Sequence, residues 1–300
     1  MTTRVRRLKI LVALVVIFSL AIVLLVPSYS AVGVILRVGT EGSSLPSFDF
    51  SAVPQPVVDD ANRLATEICN NAEEEYNDFV DQLLVTYLEA KDKDFIMIFN
   101  PGGWGWNLLE ASPQWNSIFT GIQSELDSLG YTSLLLDYRR TINTLAGRFD
   151  ELISMVNLYP SKAKDLAGRV EFLTTNIPDL KVIIAGESSG VVIADTVMSI
   201  LRNNTQVYSI QTGPPFWYKN NVLDRTLVLK NSGIIPDAFS QGDFLTIIRA
   251  NLEDLFGFSR LEGTPGKILI YIDSPGHEYW WQYPEVCSQI TDFLEQNFGV

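Results

Sequence analysis

Runs and periods of apolar residues divide the chain into three parts. Residues 10–26 are a continuous apolar run of 17 positions whose only polar member is Ser19; after Pro27, Ser28, Tyr29 and Ser30, residues 31–36 are apolar again. Over residues 57–90 the period changes. Leu64, Ile68, Ala72, Tyr76, Phe79, Leu83 and Tyr87 recur every three or four positions, with Glu73 to Glu75, Asp78 and Asp81 mainly on other faces. That spacing predicts a long amphipathic helix. From Asp94 onward short apolar runs alternate with helical periodicity. Strands are expected at 95–99 (FIMIF), 132–136 (TSLLL), 181–185, 207–211, 226–229 (TLVL) and 267–272 (KILIYI). Helices are expected at 115–129, 145–158, 161–176, 189–198, 244–256 and 283–298. About six short strands separated by helices imply an α/β fold, with a mostly parallel sheet and helices on both faces.

The first nine residues carry Arg4, Arg6, Arg7 and Lys9. A basic flank followed by 17 apolar residues, roughly 25 Å of helix, reads as a transmembrane anchor. Ser28-Tyr29-Ser30 before Ala31 also resembles a small-residue cleavage site, so a cleaved signal is the other reading of residues 1–36. In either case the body lies outside the cytoplasm. Residues 37–56, with Gly39, Gly42, Ser43, Ser44, Pro46, Pro54 and Pro56, read as a linker, and 57–300 as one domain.

Net charge is −13, and without the four N-terminal cations the remainder stands at −17. So acidic a body argues against nucleic acid as a partner. One histidine and two cysteines are too few for a zinc site, and the sequence implies no metal or cofactor. In an oxidising compartment Cys69 and Cys287 either bridge or remain two separate thiols.

The chemistry centres on residues 181–198, KVIIAGESSGVVIADTVM. Gly186-Glu187-Ser188-Ser189-Gly190 matches G-x-S-x-G between an apolar strand and an apolar helix, the context of a nucleophile elbow. A serine hydroxyl needs a base, and His277 supplies the only imidazole, in a loop after the last expected strand. The base in turn needs a carboxylate. Asp237 lies in the loop after the preceding strand; Asp243 in the same loop and Asp224 remain alternatives. A developing oxyanion requires backbone donors. Ser189 N–H is one, and the glycine-rich loop Asn100-Pro101-Gly102-Gly103-Trp104-Gly105-Trp106 is expected to supply the other. Trp104, Trp106, Trp115, Trp217, Trp280 and Trp281 fall in loops that should rim such a site, and Trp104, Trp106, Trp217 and Trp280 are the candidate substrate-pocket residues. Residues 213–225, with Pro214 and Pro215, could form a small lid.

Together these segments resemble the α/β-hydrolase superfamily of esterases and lipases. NPGGW at 100–104 looks like their HGGGW oxyanion loop, Asp137-Tyr138-Arg139 like their DYR segment, and GESSG like their elbow. His277 with Tyr279 and Trp280 looks like their terminal histidine segment, and the helix after it fits as well. The resemblance covers residues 94–300 and is closer to a minimal hydrolase, as in cutinases, than to a full eight-stranded one. The usual first hairpin is replaced by the long helix 57–90. The resemblance implies Ser188 as nucleophile, Asp237 as acid, His277 as base, and Gly102, Gly103 and Ser189 as oxyanion donors. It implies a small-molecule or lipid-like acyl substrate, most simply a carboxylic ester. An acyltransferase, thioesterase or peptidase on the same residues, or an inactive hydrolase fold used for binding, are the rival expectations.

Overall fold

The computed structural model describes residues 33–37, 49–69, 73–219, 223–255 and 274–299. Six strands form one sheet: β1 (Val34–Arg37), β2 (Phe95–Asn100), β3 (Ser133–Arg139), β4 (Lys181–Glu187), β5 (Val207–Thr212) and β6 (Thr226–Leu229). Their spatial order is β1-β3-β2-β4-β5-β6. Strands β2 to β6 are all parallel. β1 runs antiparallel to β3, with Val34 opposite Arg139. The apolar run 10–26 and the expected strand 267–272 lie outside the described residues.

The apolar alternation within each strand builds two cores. In β2, Ile96 and Ile98 face one side with Val182 and Ile184 of β4, beneath helices α1 (Gln55–Ile68), α2 (Glu73–Ala90), α5 (Pro160–Asn176) and α6 (Ser189–Ile200). Phe95, Met97 and Phe99 face the other side with Ile183 and Ala185, beneath α3 (Pro113–Ser128) and α9 (Pro284–Phe298). All six β2 residues are buried, as a central parallel strand covered on both faces requires. Three further helices, α4 (Leu145–Val156), α7 (Ala238–Gln241) and α8 (Phe244–Leu255), sit on the connections that leave the carboxyl ends of β3 and β6. No helix among the described residues is long and apolar enough to cross a membrane.

Two expectations change. The long helix over 57–90 is a pair of helices, α1 and α2. The Tyr76 hydroxyl bonds Asn62 Oδ1 at 2.8 Å, although the two residues are 14 positions apart. In a continuous helix they would be roughly 21 Å apart, so α2 folds back on α1. Residues 70–72, between the two helices, lie outside the described residues. The heptad-like pattern persists across them because both helices present their apolar face to the same core.

The second change is β1, which the sequence pattern places in the N-terminal apolar segment. It is an edge strand of the sheet, held at its start by a buried clamp. Asp165 accepts from Gly33 N–H and the Tyr138 hydroxyl, and Arg169 pairs with Asp165 while donating to Gly33 O at 2.8 Å. Cys69 belongs to the core beneath α1 and Cys287 to α9 on the opposite face of the sheet, and both are free thiols. Burial pushes the Cys69 thiol up to about 11.

Asp137 in β3 is buried, and its Oδ1 accepts from Leu109 N–H at 2.8 Å. Burial pushes its carboxyl up to about 6; the Leu109 N–H opposes the shift and the Glu110 charge adds to it. A carboxyl that titrates higher in the folded than in the unfolded chain weakens the fold above that value, and the penalty fades as pH falls through it. Asp137→Asn keeps an acceptor for Leu109 and removes the charge. Thermal unfolding is expected to show it more stable than the parent at pH 8, by up to about 3 kcal/mol, with most of that gain gone at pH 4.

Candidate functional site

The turn between β4 and α6 holds Ser188 at φ 50°, ψ −118°, a region that L-residues other than glycine rarely occupy. Tight packing around the turn imposes this geometry. Ser188 N–H donates to Thr212 O at the end of β5. A Cβ at Gly190 would stand 2.3 Å from Asn100 O, so only glycine lets the start of α6 approach the end of β2 this closely. Asn100 Nδ2 donates back to Gly190 O at 2.9 Å. Ser188 is half-buried at the carboxyl edge of the sheet.

His277 reaches the same edge. It packs against Gly213, one residue beyond Thr212; Gly213 has φ +59°, and a Cβ there would lie 2.3 Å from the imidazole Cε1. His277 Nδ1 is 2.8 Å from Asp237 Oδ2. Asp237 is fully buried and crowded with donors. Its Oδ2 also accepts from the Tyr279 and Ser240 hydroxyls, and its Oδ1 from Phe239 and Ser240 N–H. Burial raises the Asp237 carboxyl, but the His277 hydrogen bond and charge, with those of Ser240 and Tyr279, outweigh it and the net shift is downward. Asp237 therefore serves two purposes, capping α7 and orienting the imidazole. Asp243 instead caps α8 through Thr246 and is exposed, and Asp224 precedes β6 at the opposite edge of the sheet. Of the three carboxylates weighed from sequence, Asp237 is the one hydrogen-bonded to His277. Among the described residues Ser188 Oγ makes no hydrogen bond.

The loop at 100–103 is gripped from behind by a residue that the sequence pattern did not single out. Arg140 is buried, and all five of its N–H donors are used. Nε bonds Glu151; Nη1 bonds Asn100 Oδ1 and Pro101 O; Nη2 bonds Gly103 O and Ser189 Oγ. Ser189 Oγ donates to Gly103 O as well, tying the loop to the elbow. Glu151 shares its second oxygen with Lys162, which also reaches Asp150. Tyr159 lies under the guanidinium, its ring centroid 5.5 Å from Cζ, in a turn where Leu158 and Tyr159 both have positive φ. Strain of this kind gathers where surroundings over-determine a geometry. The only sequence signal was a charged residue directly after Asp137-Tyr138-Arg139; its burial is a tertiary property.

Glu187, the residue before Ser188, was likewise not singled out. Its Oε2 accepts from Gly102 N–H at 3.1 Å. Burial raises its carboxyl, opposed by the Gly102 hydrogen bond and the charges of His277 and Arg140. Of the three N–H groups expected to face an oxyanion, that of Gly102 is thus already engaged. Gly103 N–H has no partner among the described residues, and Ser189 N–H is in the first turn of α6, where a helix leaves its donors unpaired.

The aromatics divide. Trp104 and Trp106 stack with ring centroids 5.8 Å apart beside the 100–103 loop, with Arg148 over Trp106. Trp217 is exposed and packs on Phe239, which itself touches His277. Trp280 is half-buried and makes no ring contact with these. Trp115, expected at the rim, is fully buried in the core against Phe99 and Phe119, and Trp281 packs on α3 at Gly121. Residues 220–222 of the expected lid lie outside the described residues. Among the described residues no three His, Cys, Asp or Glu side chains come together as a metal site.

Removing Arg140 would leave Glu151 with Lys162 as its remaining ion partner and take the buried donor from Pro101 O. Arg140→Ala is expected to cost about 3–5 kcal/mol in urea unfolding. Arg140→Ala combined with Glu151→Ala is expected to cost clearly less than the two singles added together, as coupled buried partners do.

No family model matches the sequence, and no curated protein matches it. Among solved structures, a cutinase of Trichoderma reesei in complex with a phosphonate inhibitor is similar at 14% identity and a TM-score of 0.32, over 64% of this chain and 81% of that one.

Proposed function

We propose that the protein is a serine hydrolase of the α/β-hydrolase type that cleaves a carboxylic ester, tethered outside the cytoplasm by residues 10–26. The observation that carries this reading is the 2.8 Å pair between Asp237 and the chain's only imidazole, at the sheet edge where Ser188 is held at positive φ. Ser188 Oγ attacks the ester carbonyl carbon while His277 Nε2 takes its proton. Asp237, ionised at neutral pH, accepts the Nδ1–H and stabilises the imidazolium. The oxyanion forms against Gly103 and Ser189 N–H. His277 then protonates the leaving alcohol, and a water activated by the same imidazole releases the acid and restores Ser188. The contact between Ser188 Oγ and Nε2 closes as substrate binds, as catalytic hydrogen bonds commonly do. Glu187 Oε2 meanwhile accepts from Gly102 N–H. Its hold on Gly102 N–H leaves two donors at rest, and this is the feature that favours the rival reading of an inactive binding module.

A fluorophosphonate probe separates the two readings. The folded parent is expected to label, and Ser188→Ala and His277→Ala are expected not to; an unlabelled, folded parent would establish the binding module instead. On short-chain nitrophenyl esters Ser188→Ala is expected to lower kcat by about 10⁴–10⁶. Asp237→Asn tests the dual role of that residue. Asparagine caps helices as well as aspartate does, so α7 keeps its cap, while the loss of a charged acceptor for the donors on Oδ2 should cost about 1–3 kcal/mol without unfolding the protein. The wrong imidazole tautomer should nonetheless lower kcat by roughly 10⁴. Loss of fold in parallel with loss of rate would reduce Asp237 to a cap.

A further inference from the structure

We propose that the carboxyl edge of the sheet, the edge bearing Ser188, lies flat against the lipid bilayer that holds residues 10–26. The inference rests on reading those residues as a membrane segment. Three observations converge on it. First, β1 is antiparallel to the rest of the sheet, so its start, Val34, pairs with Arg139 at the carboxyl end of β3. The chain therefore enters the sheet at the edge where the parallel strands leave it. The Asp165–Arg169 clamp on Gly33 fixes that point. Second, only residues 27–33 separate the apolar run from β1. Seven residues span at most roughly 25 Å when fully extended, so this edge cannot stand far from the hydrocarbon.

Third, the exposed apolar surface is concentrated: most of the large apolar side chains exposed among the described residues lie on the connection after β3 or on the segment after β6. Two helices dominate. α4 exposes Leu145 and Phe149, and α8 exposes Phe244, Leu245, Ile248 and Leu252 along one stripe; Leu145 is 77% and Leu245 82% accessible. An amphipathic helix with its apolar stripe outward is the form that seats in a lipid interface. A body of charge −17 disfavours an anionic surface, so the bilayer matched is zwitterionic. An ester dissolved in that bilayer would approach Ser188 between α4 and α8 without crossing bulk water.

The full chain, carrying p-benzoyl-phenylalanine at position 145, 245 or 200, is reconstituted into phosphatidylcholine vesicles and irradiated after flotation. Lipid adducts are expected at 145 and 245 and are expected to be lost at 200, which lies at the far end of α6. Floating chains that give no lipid adduct at 145 and 245, equal adducts at all three positions, or adducts to a second copy of the chain would each overturn the proposal while leaving the tether intact. A chain that does not float would remove the tether and this inference together. Neither result touches the esterase chemistry, which is read separately from probe labelling.

Discussion

One backbone conformation organises this protein. To turn from β4 into α6 without a loop, the chain must pass through φ 50° at Ser188, and a serine stays there only because its surroundings leave no alternative. β5 takes its N–H, the end of β2 closes against Gly190, and Asn100 returns a hydrogen bond to the Gly190 carbonyl. The consequence is chemical. The hydroxyl is lifted to the edge where parallel strands end and loops gather, the place where sites form in sheets of this kind.

Around that turn the molecule uses buried charge as scaffolding. Arg140 spends its five donors on the backbone and side chains of the 100–103 loop, Ser189 and Glu151, so the loop is held without contributing to either apolar core. Glu151 and Lys162 extend the network into α4 and α5. Asp165 and Arg169 repeat the device one turn further along α5 to seat β1. Isolated, each of these ions would be costly to bury; paired and fully hydrogen-bonded, they specify geometry more than they add stability. Asp237 follows the same logic, since its donors cap α7 and hold an imidazole at once.

The relation between the two edges of the sheet gives the molecule its polarity. The chain arrives, the strands end, the apolar helices α4 and α8 project, and Ser188 stands, all on one side. The entry of the chain on that side follows from a single antiparallel strand: had β1 been parallel, the N-terminal segment would have joined the sheet at the opposite end.

Local pattern alone was enough for β2 to β6 and for α3 to α6, α8 and α9, because a strand buried on both faces must be apolar throughout and a covering helix must repeat its apolar face at 3.6 residues. G-x-S-x-G was legible for the same reason: its glycines answer a steric demand set within five residues. The break between α1 and α2 was hidden, because both helices serve one core and their periodicity runs on across the turn. β1 was hidden because four residues of edge strand look no different from the apolar run before them. The pairing of His277 with Asp237 rather than Asp243, the burial of Trp115 and the contacts of Arg140 and Glu187 are visible only in the tertiary structure. Each depends on which distant groups surround a side chain, and a carboxylate that caps one helix has the same sequence signature as one that also holds an imidazole forty residues away.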